Sequence, residues 1–474
     1  MISMSLSAES GTCGDNLTWT LDDNGTLTIS GTGAMSNYYS RMSSPWYDNR
    51  LSIKNVFIGS GATSVGECAF ADCTNLIAVS LPNSIRSIGR YAFLSCEALS
   101  DINMPTDIES IGAAAFYDSK LYNDKGNWQD GALYIGNCFI KADTLSMAEN
   151  YTIKDGTNLI ADHAFPVYPD SVYYYSGNGT AFNEVICDFL DIIEDWHLGG
   201  WERYQNSKIQ NITIPNSVRY IGNLAFANCT ALQSIHWGTG IRQVGYMSTA
   251  YCTNLKKYYI EDLTAWCSIN WNMDRFEYYN PLLSLYVNND LVKDLTIPTN
   301  VEIIKMGAFF YNTDLRSVKI SEGVKQISDR VFLACTKLDS IDISSSVQAV
   351  GSYAFAICDS LKLIKCRALT PPDVYENGSE LVNEEVDFFS PYEDKYEKVL
   401  LYVPRESLSL YKSHNIWGKF SKIEAINDVP TSHSTFINPH STPLTVPCKV
   451  FEQGEVRILM PDGRRFNLQG TEVQ

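Results

Sequence analysis

The stretch that decides the fold is IPNSVRYIGNLAFANCTAL, Ile214 to Leu232. At its head, Ile212-Thr213-Ile214 alternates apolar and polar residues, as a short strand with both isoleucines inward does. Pro215-Asn216 ends that strand, because proline has no N–H to continue a ladder. Val218 and Ile221 point inward from a second short strand, and Gly222 turns the chain. Ala225 and Phe226 close the unit, the small residue making room for the large one. A single unit cannot bury its own apolar face, but stacked copies can.

Copies are present. NSIRSIGRYAFLSCEAL, Asn83 to Leu99, repeats the same order of residues. Marked by their phenylalanines, the units fall at Phe70, Phe93, Phe116, Phe165, Phe226, Phe309, Phe332 and Phe355, with Thr249 holding the place in one degenerate unit. Successive marks lie 23, 23, 49, 61, 23, 60, 23 and 23 residues apart. A 23-residue period lies within the leucine-rich-repeat range of about 20–29. The three long intervals are coils carrying insertions. The expected architecture is a repeat solenoid, a leucine-rich-repeat right-handed superhelix, mostly β with short turns and few helices. The phenylalanines should form a buried spine.

Three residues after most marks stands a cysteine: Cys73, Cys96, Cys229, Cys252, Cys335 and Cys358. A cysteine that returns once per coil reads as a packing residue, since a free thiol behaves as a small hydrophobe. No C-x₂-C pair offers converging metal ligands. Free thiols are expected, because side chains at equivalent positions of stacked coils point the same way.

These units resemble the BspA-type leucine-rich repeats of bacterial surface proteins over most of residues 51–366. CGDNLTWTLDDNGTLTISGTGAMSNY and SPWY resemble the segment that opens many such arrays. LYVPRESLSLYKSHNIWGKFSKIEAI resembles their closing cap, and LTAWCSINW and GNCFIKADT resemble family insertions. Departures are the coil around Thr249 and the insertion at 166–208. The resemblance implies adhesion or ligand capture at a bacterial surface, with a host or cell-surface protein as partner. It also implies a surface or secreted location.

The chain organises accordingly. Residues 1–50 read as an N-terminal β cap, with strands Leu17–Leu21 and Thr26–Ser30 joined at Asn24-Gly25. Residues 51–366 form the solenoid, with insertions near 120–150, 166–208 and 261–290. The first carries a hairpin around Leu133–Lys141. In the second, Val185, Ile186, Phe189, Leu190 and Ile193 recur at helical spacing. A C-terminal cap covers 367–426, a linker 427–447 and a β-hairpin tail 448–474, turning at Pro461-Asp462-Gly463. The tail is similar to short C-terminal modules on secreted proteins of Bacteroides-type bacteria.

Composition excludes several functions. The net charge is −18 and the pI near 4.8, and no basic run could track phosphates, so no nucleic-acid partner is expected. No run of about 18 apolar residues exists to span a membrane. The opening MISMSLSAES has neither the charged start nor the apolar core of a signal peptide, so the surface location rests on the resemblance. A monomer is expected.

Catalytic patterns are absent: there is no G-x-S-x-G elbow, Walker loop or H-E-x-x-H. His163, His197, His236, His414, His433 and His440 are scattered, and neither metal nor cofactor is expected. Asp188, Asp191, Glu194 and Asp195 read as a solvated helix face rather than a calcium loop. A glycan-cleaving solenoid would need paired carboxylates on one strip. The outward strip reads Phe57, Ser80, Asn103, Thr152, Thr213, His236, Tyr259, Thr296, Lys319 and Asp342, with one carboxylate in ten. The expected function is therefore a non-catalytic binding scaffold. The alternatives are a glycan-binding protein and, further off, a glycan-cleaving enzyme.

The repeat rule breaks most sharply between Ile235 and Tyr286. His236 and Tyr259 enter the strip, Trp237 takes an inward position usually held by Ile or Leu, and Thr249 replaces a spine phenylalanine. An insertion rich in Trp266, Trp271, Phe276, Tyr278, Tyr279 and Tyr286 follows. On a rigid stack, function belongs where the rule is broken. The expected ligand site is His236 and Tyr259, walled by Trp266, Trp271, Tyr278 and Tyr279. Its histidine would make binding respond to pH between about 5 and 8.

Overall fold

A computed structural model of the chain describes residues 9–165, 208–272, 283–375, 387–389 and 394–426. In the tail it describes the strands Cys448–Glu452, Glu455–Leu459, Arg465–Phe466 and Glu472–Val473. The expected helix at 185–193 and its acidic residues lie outside the described residues. Two compact units are present, Met1–Glu424 and Ala425–Gln474.

The first unit is a β-solenoid in which each coil contributes two short strands to parallel ladders. The ladder runs in register from coil to coil. Asn211, Ile212 and Thr213 pair with Ser234, Ile235 and His236, and these pair with Lys257, Tyr258 and Tyr259. The second ladder pairs Leu159 with Tyr220 and Tyr220 with Gln243. At the N-terminal end, Glu9–Gly14, Leu17–Leu21 and Thr26–Gly31 are antiparallel, and the last of these pairs in parallel with Asn55–Ile58. The cap thus hands an antiparallel edge over to the parallel stack.

The phenylalanine spine is present and fully buried. Phe70, Phe93 and Phe116 stack with centroids 5.4 Å apart. Trp46 of the cap lies on Phe70 at 5.3 Å. Phe309 and Phe332 stack at 5.4 Å, and Phe355 follows at 6.2 Å. The hairpin insertion adds a ring that the unit pattern did not mark. Phe139, on the strand Cys138–Ala142, stacks on Phe165 at 4.9 Å. The hairpin is therefore part of the stack, since Cys138 and Phe139 pair with Leu159 and Ile160.

Two backbone features make each coil this tight. Left-handed residues stand two before and two after the spine position, as with Cys68 and Asp72 around Phe70, or Leu224 and Asn228 around Phe226. Side chains there oppose the conformation by about 1 kcal/mol or more each, so the stacked neighbours must enforce it. The turn glycine meets the preceding coil directly. A Cβ on Gly89 would lie 2.5 Å from the Glu67 amide nitrogen, and one on Gly222 2.4 Å from that of Asp162.

The recurring cysteines have a common geometry. The thiols of Cys96, Cys252, Cys335 and Cys358 each donate to the carbonyl of the spine phenylalanine one coil earlier, at 3.0–3.2 Å. All six ladder cysteines are buried, as are Cys13, Cys68, Cys138, Cys267 and Cys366. Burial pushes the Cys73 thiol up to about 12, which keeps it protonated and unreactive. Iodoacetamide is therefore expected to leave the six ladder thiols unmodified in the native protein and to alkylate them after denaturation. Non-reducing peptide mapping that found a Cys73–Cys96 or Cys335–Cys358 crosslink would overturn this.

The second unit is a four-stranded antiparallel sheet. Ile458 stands opposite Phe466 and Leu459 opposite Arg465, and the expected turn at Pro461-Asp462-Gly463 lies outside the described residues. The strand pair Cys448–Glu452 and Glu455–Leu459 extends it beyond a single hairpin.

Candidate functional site

Alternation along the strand places the candidate residues. Ile212, Ile235, Tyr258 and Leu285 face inward and are buried. Thr213, His236, Tyr259 and Tyr286, one position on, face outward in direct register. Stacked coils then bring their rings together. His236 and Tyr259 stack at 4.3 Å with an interplanar angle of 9°. Tyr259 and Tyr286 stack at 4.8 Å and 28°. All three rings are half-buried on an outer face otherwise lined by Thr152 and Thr213. Beside them runs a polar row. Ser234 Oγ donates to Asn211 Oδ1 at 2.6 Å, and Asn211 Nδ2 donates to Asn150 Oδ1 at 2.6 Å. Exposed Lys257 continues that row.

The geometry limits what the row can do. Tyr259 has a ring on each face, so it presents its edge and hydroxyl to solvent. Burial lowers the His236 imidazole below the usual histidine range, against an opposing pull from the Glu261 carboxylate. The ring is therefore neutral at physiological pH. Among the described residues no group of three or more His, Cys, Asp or Glu could hold a metal ion, and no helix is long and apolar enough to cross a membrane.

The strip differs from expectation in two ways. It is three ladders rather than one. Tyr259 is followed by Tyr286, whose strand turns back antiparallel at Asp290–Leu291. Thr296, Lys319 and Asp342 begin a separate sheet. Tyr286, expected within the insertion near 261–290, lies 27 residues beyond Tyr259, off the 23-residue period. Its strand signal was present, for SLYV alternates polar and apolar residues.

The tryptophans pack inside rather than along the outer face. Trp266 sits on the short helix Leu263–Cys267, whose N-cap Asp262 accepts from the Thr264 and Ala265 amides. It is buried, and its indole N–H donates to the Ala308 carbonyl at 2.7 Å. Trp271 is half-buried on the opposite ladder, paired with Val244. Both meet Trp237 edge to face, at 5.7 and 5.5 Å. They fill the coil that lacks its phenylalanine. Phe276, Tyr278 and Tyr279 lie outside the described residues.

Comparison with known proteins agrees with this architecture. The model of the BspA-type leucine-rich repeat region matches six copies over residues 40–167, 200–277 and 283–373, more than half of the chain. No curated protein sequence matches. Among solved structures, a leucine-rich repeat protein from Eubacterium ventriosum is 19% identical with a TM-score of 0.29, covering 90% of this chain and 98% of that one. The pneumococcal vaccine antigen PcpA is 14% identical with a TM-score of 0.32, covering 89% and 99%. A leucine-rich cell surface protein from Faecalibacterium prausnitzii is 18% identical with a TM-score of 0.24, covering 79% and 96%. With its 23-residue coils, phenylalanine spine and matched repeats, the chain belongs to the BspA-type leucine-rich repeat family.

Proposed function

We propose that this protein is a non-catalytic binding scaffold that captures a protein ligand at a bacterial surface, using the face that carries His236, Tyr259 and Tyr286. The observation that carries this reading is the stacked aromatic row on an otherwise small and polar strip. Half-buried aromatics give contact area at low entropic cost and dominate binding hot spots. Trp266 and Trp271 support the site from within, by fixing the coil that carries the row. The stack favours protein over glycan as ligand. A sugar packs on an open ring face, and Tyr259 has none to offer, whereas ring edges and hydroxyls suit side-chain and backbone contacts.

The test is a binding screen with the immobilised chain against extracellular-matrix proteins and a glycan array. Saturable binding of a protein, lost in Tyr259→Ala and kept in Asn103→Ala, is the expected result. Specific binding confined to glycans would establish the glycan-binding alternative, and turnover of a bound glycan would establish an enzyme.

A further inference from the structure

The ladder turns the outer face around Tyr259 into a grid. Side chains two apart on one strand share a face. Tyr259 therefore has Lys257 on one side and Glu261 on the other, and burial alternates to match. Lys257 and Glu261 are exposed, while Tyr258 and Ile260 are buried. The strand ends at Ile260, but its pairing continues, since Asn288 N donates to the Ile260 carbonyl at 3.0 Å. In the coil before, Ser234 and Gly238 hold the two positions flanking His236. In the coil after, Ser284 and Asn288 flank Tyr286. Across these three coils, charge enters the grid only beside the central ring.

A second observation ties Glu261 to the row. Its carboxylate opposes the effect of burial on the His236 imidazole, one coil away. Nothing within the fold neutralises the two charges. Among the described residues, neither Lys257 nor Glu261 is held in an ion pair. Asp314, which accepts from Ser284 Oγ, is paired with Lys337 at 3.2 Å, and Asp262 caps the helix Leu263–Cys267. Lys257 and Glu261 stand four residues apart, about 13 Å along an extended strand, with the Tyr259 ring between them. Opposite charges beside an anchor ring favour a partner with the reverse pair and oppose one with two like charges.

We propose that the partner protein presents an extended segment to this face, with an acidic side chain over Lys257, an apolar one against the edge of Tyr259 and a basic one over Glu261. Positions one, three and five of an extended segment share a face and match this spacing. The inference rests on the binding role proposed for the aromatic row and adds the charge pattern of its ligand.

The probes are four end-blocked pentapeptides, KSLSD, DSLSK, KSLSK and DSLSD, titrated into the full chain carrying ¹³C-histidine. His236→Gln assigns the reporting signal, and the two mixed peptides allow for either chain direction. At about 10 mM salt, charges act over about 30 Å. There a mixed peptide should move the His236 signal to saturation and bind about three- to tenfold tighter than either like-charged peptide, the range for two exposed pairs. The margin should shrink at about 150 mM salt, where screening sets in at about 8 Å. Lys257→Glu should turn the preference to KSLSK, and Glu261→Lys should turn it to DSLSD. Both residues are exposed, so the fold should tolerate either change. Equal binding of all four peptides, or a preference that the charge variants leave unchanged, overturns the proposal. If that binding is lost in Tyr259→Ala, the aromatic row still stands as the binding site. Binding of a mixed peptide that survives Tyr259→Ala overturns both readings. Absence of a saturable shift with either mixed peptide overturns the charge pattern and leaves the row to be judged by the protein screen.

Discussion

Replacing Phe332 with alanine is expected to lower stability by about 3–5 kcal/mol, the range for removing a fully buried phenylalanine. Its ring is 0% exposed and sits between Phe309 and Phe355, at 5.4 and 6.2 Å. The surrounding coils cannot collapse into the space, because their spacing is set by backbone ladders on both sides. In a one-dimensional stack the loss falls on two interfaces at once. Phe226→Ala should fall toward the lower end of the range. That ring is tilted at 42° on Phe165, and Thr249 rather than a ring follows it in the next coil. Urea midpoints would measure both. A change below about half a kilocalorie at both positions would show that the spine is not what holds the coils together.

The second large effect is expected on the outer face. Once a protein ligand is found, Tyr259→Ala should weaken binding by about 2 kcal/mol, roughly 30-fold, as loss of a central aromatic anchor does. It removes the middle ring and leaves His236 and Tyr286 without a shared partner. His236→Ala should have the same sign and a smaller size, since it ends the row. Asn103→Ala, just past the strand Asp101–Ile102 of a separate sheet, should bind as wild type. Affinity should also fall as the pH drops below the usual histidine range. A ligand that covers His236 holds its imidazole further from water, so protonation opposes binding. Central variants that stay folded and bind normally would move the site elsewhere.

The solenoid is legible in the residues alone. A 23-residue period, alternating strand residues, turn glycines and a repeated large ring are local features, and each coil meets only its neighbours. The burial of the spine and of the cysteine ladder followed from the same periodicity. Alternation also places His236 and Tyr259 on one outward strip. Where the irregular coils lie depends on contacts made after stacking. Tyr286 joins the row because its strand pairs with Lys257–Ile260 across an irregular spacing, which hides it from the 23-residue period. Phe139 joins the spine from a hairpin strand rather than a repeat turn. Trp266 and Trp271 turn inward because the absent ring at Thr249 leaves volume to fill, and aromatic content alone does not say which way a ring points. Left-handed residues such as Leu224, Met247 and Tyr353 have no local preference for that conformation. Their backbones are held there by hydrogen bonds to the next coil, such as Leu224 N to Tyr246 O at 2.8 Å, which exist only once the coils have stacked.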